Sequence, residues 1–197
     1  MLQIATRKEL RRILSEEKSL YLGHRGWYQE LLRLLKSHPD YYAWKYAKRM
    51  RITCYYYGRR RNNPYYALMY LLSSRRMNIL GRKLGIECGE NVFDEGLVIY
   101  HTQGNVINGN ARVGKNCRLY GNNCIGNDGI HAACPVIGDD VRICVGAKVI
   151  GDVRIADHVV VAAGAVVVES CDAENAVLAG IPARVIGIHK QSKCFLD

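Results

Sequence analysis

Between residues 107 and 171 the apolar positions recur every sixth residue: Ile107, Val113, Leu119, Ile125, His131, Ile137, Ile143, Val149, Ile155, Val161 and Val167 are aliphatic at ten of eleven places. Four residues after an aliphatic comes a mostly small residue, as at Ala111, Cys117, Asn123, Val141, Ala147, Val153, Val159, Ala165 and Cys171. Gly, Asp, Asn and Lys are common between them. Such a period is neither helical nor a plain strand alternation, so the chain must turn a corner once per repeat. A triangular solenoid does this. The large aliphatic points into the prism, the small residue fills the corner, and Gly, Asn or Asp tolerates the positive φ of the turn. With three faces per coil, residues 86 to 171 predict about five stacked coils, each contacting only its neighbours.

The first 85 residues keep another period. Leu10, Ile13, Leu14 and then Leu31, Leu32, Leu34, Leu35 have helical spacing, and Pro39 and Pro64 interrupt at plausible boundaries. The pattern predicts helices over 6–17, 25–37, 40–58 and 64–80, and a division into a helical region 1–85, a solenoid domain 86–188 and a tail 189–197. Charge sharpens that division. Residues 1–85 hold 19 Lys and Arg against 5 Asp and Glu, a balance of +14, while the remainder balances at −4. Eleven of the 13 tyrosines precede residue 71. No apolar run approaches the roughly 18 residues of a membrane span, and the stretch Met1 to Glu9 lacks the apolar core of a secretory signal, so a cytoplasmic location is expected. The eight cysteines are widely spread with no Cys-x-x-Cys pair, which favours reduced, structural thiols.

The period is the hexapeptide repeat of the left-handed parallel β-helix, and residues 78 to 188 resemble the acyl-CoA-dependent O-acetyltransferases built on it. Ala179-Gly180-Ile181-Pro182-Ala183-Arg184-Val185-Ile186-Gly187 resembles the closing motif of that family, and Leu97 to Ile107 resembles the active-site coil of serine acetyltransferases. Within the group the chain is similar to the branch that acetylates saccharides in capsule or exopolysaccharide pathways. The resemblance implies acetyl-CoA as donor, no metal, and a homotrimer with the cofactor groove between chains. It also implies cofactor contacts near Gly146, Ala147, Ala163 and Gly164, with Lys148 and Arg184 near the nucleotide phosphates.

The ladder slips once, because Ile99 to Ile107 is a step of eight. His101 lies inside that slip, where a regular ladder would place an inward aliphatic. A neutral imidazole can take the proton from an acceptor hydroxyl attacking a thioester, and the resemblance makes His101 the catalytic base. Asp94, Glu95 or a backbone carbonyl is expected to orient it; Gly104 or Asn105 would supply an oxyanion donor, with Tyr100 nearby. A second irregularity at Gly126 to Pro135 predicts a projecting loop. Serine acetyltransferases end this loop in His-Pro-x-Ile, where this chain has Cys134-Pro135-Val136-Ile137; His131 is the substitute, with Asn127 and Asp128 beside it. Tyr100 and Ile86 also replace acids of the serine enzymes. These departures place a saccharide hydroxyl ahead of L-serine as acceptor.

The basic front, with Tyr55-Tyr56-Tyr57-Gly58-Arg59-Arg60-Arg61, suits an anionic membrane surface or an acidic glycan, unless its tyrosines simply pack the helices onto the prism. Nucleic acid is disfavoured, since no zinc-finger, helix-turn-helix or RNA-binding signature accompanies it. Two competing readings are a zinc enzyme using His101, His131 and His158, and a catalytically silent scaffold.

Overall fold

The structure, a computed structural model, describes residues 2–23 and 27–189. Four helices precede the solenoid: α1 (Arg7–Leu22), α2 (Trp27–Leu35), α3 (Pro39–Tyr57) and α4 (Pro64–Leu84). Three of them start where side-chain chemistry permits. The Thr6 hydroxyl accepts from the Glu9 N–H at the head of α1, Pro39 and Pro64 occupy first helical turns, and Asn63 accepts from the Tyr66 N–H. Gly85, in the left-handed conformation at φ 70°, ends α4. α1 runs five residues beyond the predicted 17 because Tyr21 and Leu22 have something to pack on: they join Trp44 and Val98, and the Tyr21 hydroxyl accepts from the Ile99 N–H at 3.0 Å. The tail beyond His189 lies outside the described residues.

The solenoid has three parallel faces. Face A stacks β1 (Ile86–Cys88), β3 (Asn105–Ile107), β6 (Cys124–Gly126), β9 (Lys148–Ile150) and β12 (Val166–Val167). Face B stacks β4 (Arg112–Val113), β7 (Val136–Ile137) and β10 (Arg154–Ile155), extended by bridges from Phe93 to Val113 and from Ile155 to Cys171. Face C stacks β2 (Val98–Ile99), β5 (Arg118–Leu119), β8 (Arg142–Ile143), β11 (Val160–Val161) and β13 (Ala176–Gly180), and closes with the antiparallel β14 (Ala183–Ile188). Every aliphatic of the six-residue ladder is buried, as are Ala111, Cys117, Asn123, Val141, Ala147, Val153, Val159, Ala165 and Cys171 four positions on. Only His131 stands outside, in the loop Asn127–Pro135 between faces A and B.

Helices and prism share one core, since Tyr46, Met50, Met77 and Leu80 pack with Ile86, Phe93 and Ile107. A buried ion pair fastens them. The Arg51 guanidinium donates to both oxygens of Glu17 at 2.6–3.1 Å and to the carbonyls of Phe93 and Asp94, while Glu17 accepts from the Gly96 N–H at 2.9 Å. The tyrosine–arginine run is largely consumed by packing. Tyr55 is buried, Arg59 stacks over it at 3.9 Å and donates to Ile4, and Arg60 lies 3.6 Å over Tyr57. All seven described cysteines are free thiols, with Cys117 and Cys171 inward as the ladder predicts. Among the described residues, no helix is long and apolar enough to cross a membrane.

Candidate active site

The slip in the ladder is a bulge at the corner between faces C and A. Tyr100 pairs with Leu119 of the next coil through its N–H, and His101 sits directly over Gly121. Register resumes when the Gln103 carbonyl accepts from the Asn122 N–H, so Thr102 and Gln103 are the two extra residues. His101 therefore keeps a corner position with its side chain exposed, the inward aliphatic place expected for it is filled by Ile99 opposite Leu119, and Asn105 takes the small inward place in line with Asn123. A β-carbon at Gly121 would lie 2.8 Å from the His101 β-carbon and 3.1 Å from its carbonyl oxygen. Glycine, at φ 104°, is what lets the base sit so low on the coil beneath it.

Asn105 is corrected as an oxyanion donor. It is fully buried: its side-chain amide donates to the carbonyls of His101 and Thr102 at 2.9 Å each, and its backbone N–H to Gly85. Its side-chain oxygen accepts from the N–H of Asn123, the equally buried residue one coil on, whose own amide binds the Cys144 carbonyl. Two stacked asparagines thus clamp the bulge that carries His101. Neither predicted acid orients the imidazole, because Asp94 and Glu95 lie at the corner between faces B and C, where Glu95 pairs with Arg12 at 2.9 Å and Lys115 at 3.7 Å. Beside the base, Tyr100 stacks on Tyr120 with centroids 4.7 Å apart, and Arg118 donates to the Tyr100 hydroxyl.

The cofactor candidates fall largely on the same edge. Gly146 and Gly164, at φ 73° and 69°, turn the corner between faces C and A in the coils beyond Gly121. Ala163 is exposed beside them, and Lys148 is exposed at the start of β9 with its ammonium 3.4 Å from the Gly146 carbonyl. A β-carbon on Gly164 would meet nothing within 4 Å, so this stretch of edge is bare backbone suited to an extended ligand. Ala147 is fully buried and offers only its carbonyl, already bound by the Cys124 N–H. Arg184 stands on the closing strand, paired with Glu169 at 2.8 Å.

The projecting loop is built around Asp128. One of its oxygens accepts from the N–H groups of Ile130 and His131, the other lies 2.8 Å from His131 Nδ1, and Asn127 donates to the His131 carbonyl. Asp128 favours the imidazolium, raising the His131 pKa, and the same hydrogen bonds hold the Asp128 carboxyl well below the usual carboxylate range. The pair is therefore complete at pH below the ordinary histidine value of about 6.5 and is lost as pH rises through the raised one. In an NMR titration, Asp128→Asn should return the His131 midpoint to that ordinary value; an unchanged midpoint means that the pair is not formed in solution.

The structure does not bring the histidines together. His101 lies at the C–A corner, His131 at the A–B corner and His158, at φ 61°, at the B–C corner. Among the described residues, no group of three or more His, Cys, Asp or Glu could hold a metal ion.

No protein-family model matches the chain. Curated relatives do. The chain is 35% identical over 94 residues to a serine acetyltransferase of Synechococcus elongatus, covering 47% of this chain and 38% of that protein. It is 36% identical over 105 residues to one of Mycobacterium tuberculosis, covering 52% and 43%. The matched part thus spans less than half the length of these relatives. Among solved structures, a serine acetyltransferase from Brucella abortus superposes with a TM-score of 0.71 at 19% identity, over 94% of this chain and 72% of that one. That protein has also been solved in complex with coenzyme A. These likenesses establish the fold as the left-handed β-helix of hexapeptide-repeat acetyltransferases, preceded by helices.

Proposed function

We propose that the chain transfers an acetyl group from acetyl-CoA to a hydroxyl, with His101 as the base and without a metal. The observation that carries this is the exposed imidazole of His101, whose backbone carbonyl Asn105 holds and whose backbone sits over Gly121, on the same edge as Gly146, Gly164 and Lys148. As the acceptor oxygen attacks the thioester carbonyl, His101 takes its proton. When the carbon–sulfur bond breaks, His101 returns that proton to the departing thiolate, leaving an ester and free CoA. In the homotrimer that the resemblance implies, a neighbouring copy closes this edge into the groove for the pantetheine arm.

L-Serine is the acceptor supported by the curated relatives. One observation favours the saccharide reading instead. The residue before the base is Tyr100, stacked on Tyr120 and bonded by Arg118, so the neighbourhood is aromatic and cationic. An amino acid's ammonium group is better served by a carboxylate, whereas a sugar ring is suited to an aromatic face. Thiol release from acetyl-CoA by the purified protein, with L-serine beside a panel of saccharides, separates the two. Serine-dependent release establishes the first, release dependent on a saccharide alone establishes the second, and release with neither overturns both acceptors.

A further inference from the structure

The helix α2 is attached to the body by its polar side. Lys18 meets Glu30 at 2.6 Å, and Arg33 reaches Asp40 at 3.3 Å and the Tyr21 carbonyl at 3.2 Å. None of its residues is buried. Its apolar stripe, Trp27, Leu31, Leu34 and Leu35 at spacings of four, three and one, faces outward, with Trp27 77% and Leu35 71% exposed. On α4, Tyr65, Leu68, Leu71 and Leu72 are likewise exposed. α2 and α4 flank one groove of about 560 Å³ whose floor is α3. Lys45, Lys48, Arg49 and Arg76 line it, against a single acid, Glu30. Apolar helix faces and a cationic trough therefore share one side of the molecule.

We propose that this side seats the protein on an anionic phospholipid bilayer. Trp27, Leu31 and Leu35 enter the boundary between headgroups and acyl chains, as on an interfacial amphipathic helix, and the groove cations meet lipid phosphates. Charge selects this occupant over a second copy of the chain. Two such fronts brought together would oppose +14 to +14, whereas a bilayer of acidic lipid supplies the missing sign. This seat is independent of the acetyl-transfer reading and is tested without any acceptor.

The test is co-sedimentation of the full chain with vesicles of phosphatidylcholine alone and of equimolar phosphatidylcholine and phosphatidylglycerol. Pelleting with the anionic vesicles only, weakened by salt, is expected. Trp27 gives a second readout: of the two tryptophans, Trp44 is already buried, so a blue shift of emission on binding reports Trp27 and should vanish in Trp27→Phe. Lys45→Gln/Lys48→Gln should lower partitioning about thirtyfold, at roughly a factor of five per surface cation. Leu31→Ser/Leu35→Ser should abolish the blue shift, and because both leucines are solvent-exposed, the circular dichroism should stay unchanged. Equal binding to both vesicle types, or binding that survives both double substitutions, overturns the proposal. So does a larger assembly in light scattering that Leu31→Ser/Leu35→Ser dissolves without any vesicle binding, which assigns the face to a second copy, or retention of an oligonucleotide in place of vesicles.

Discussion

Replacing His101 with alanine should lower acceptor-dependent CoA release by about 10²- to 10⁴-fold, the usual contribution of a positioned general base. The ring is exposed, and among the described residues it has no side-chain partner, so its removal opens no cavity and strands no buried charge. Thermal unfolding should coincide with that of the parent. Loss of rate without loss of stability is the signature of a chemical role. Asn105→Ala provides the complement. It leaves the imidazole in the sequence but frees the carbonyls of His101 and Thr102, which the Asn105 amide now holds. The buried Asn123 N–H also loses its acceptor, so this variant should be destabilised by about 1–3 kcal/mol as well as slowed. Undiminished release in His101→Ala would remove His101 as the base, whereas no acceptor-dependent release from either protein would favour the scaffold reading.

The difference between these two residues shows what could be read in the chain before its fold was known. The ladder from Ile107 to Val167 was legible because inward burial imposes one residue class every six positions, and a step of eight at Ile99 marked the bulge. What the step could not tell was which residues were extra. Placing them at Thr102 and Gln103 keeps Asn105 in line with the inward Asn123 and leaves His101 outward, and the hydrogen bonds that decide it cross between coils. A signal for Asn105 did exist: Asn123 lies 18 residues on, one full coil, and is polar at a small inward place. The stacked Tyr100 and Tyr120, 20 residues apart across the bulge, escaped for the same reason. In the helical front, the abundance of cations hid the one that matters. Nothing in 19 Lys and Arg marks Arg51 as buried except its place on the stripe Ala43, Tyr46, Ala47, Met50, Cys54, where a charge interrupts the inward face of α3.

That interruption should carry the largest stability effect in the molecule. Arg51→Met leaves the Glu17 carboxylate buried with only the Gly96 N–H as partner, and removes the donors to the Phe93 and Asp94 carbonyls. Breaking one side of a fully desolvated pair costs about 3–5 kcal/mol. For a chain of this size, that should lower the unfolding midpoint by about 10 °C or more in calorimetry. Glu17→Leu/Arg51→Met removes both charges and should recover part of the loss, since the stranded carboxylate is then gone, although the two carbonyls stay unpaired. The pair joins α1 and α3 to the first coil, and α1 also holds that coil through Tyr21 on the Ile99 N–H, two residues before the base. Loosening the helices should therefore slow acetyl transfer in Arg51→Met more than its folded fraction alone accounts for. An unfolding midpoint unchanged in Arg51→Met would mean that the helices hold to the prism through their apolar contacts alone.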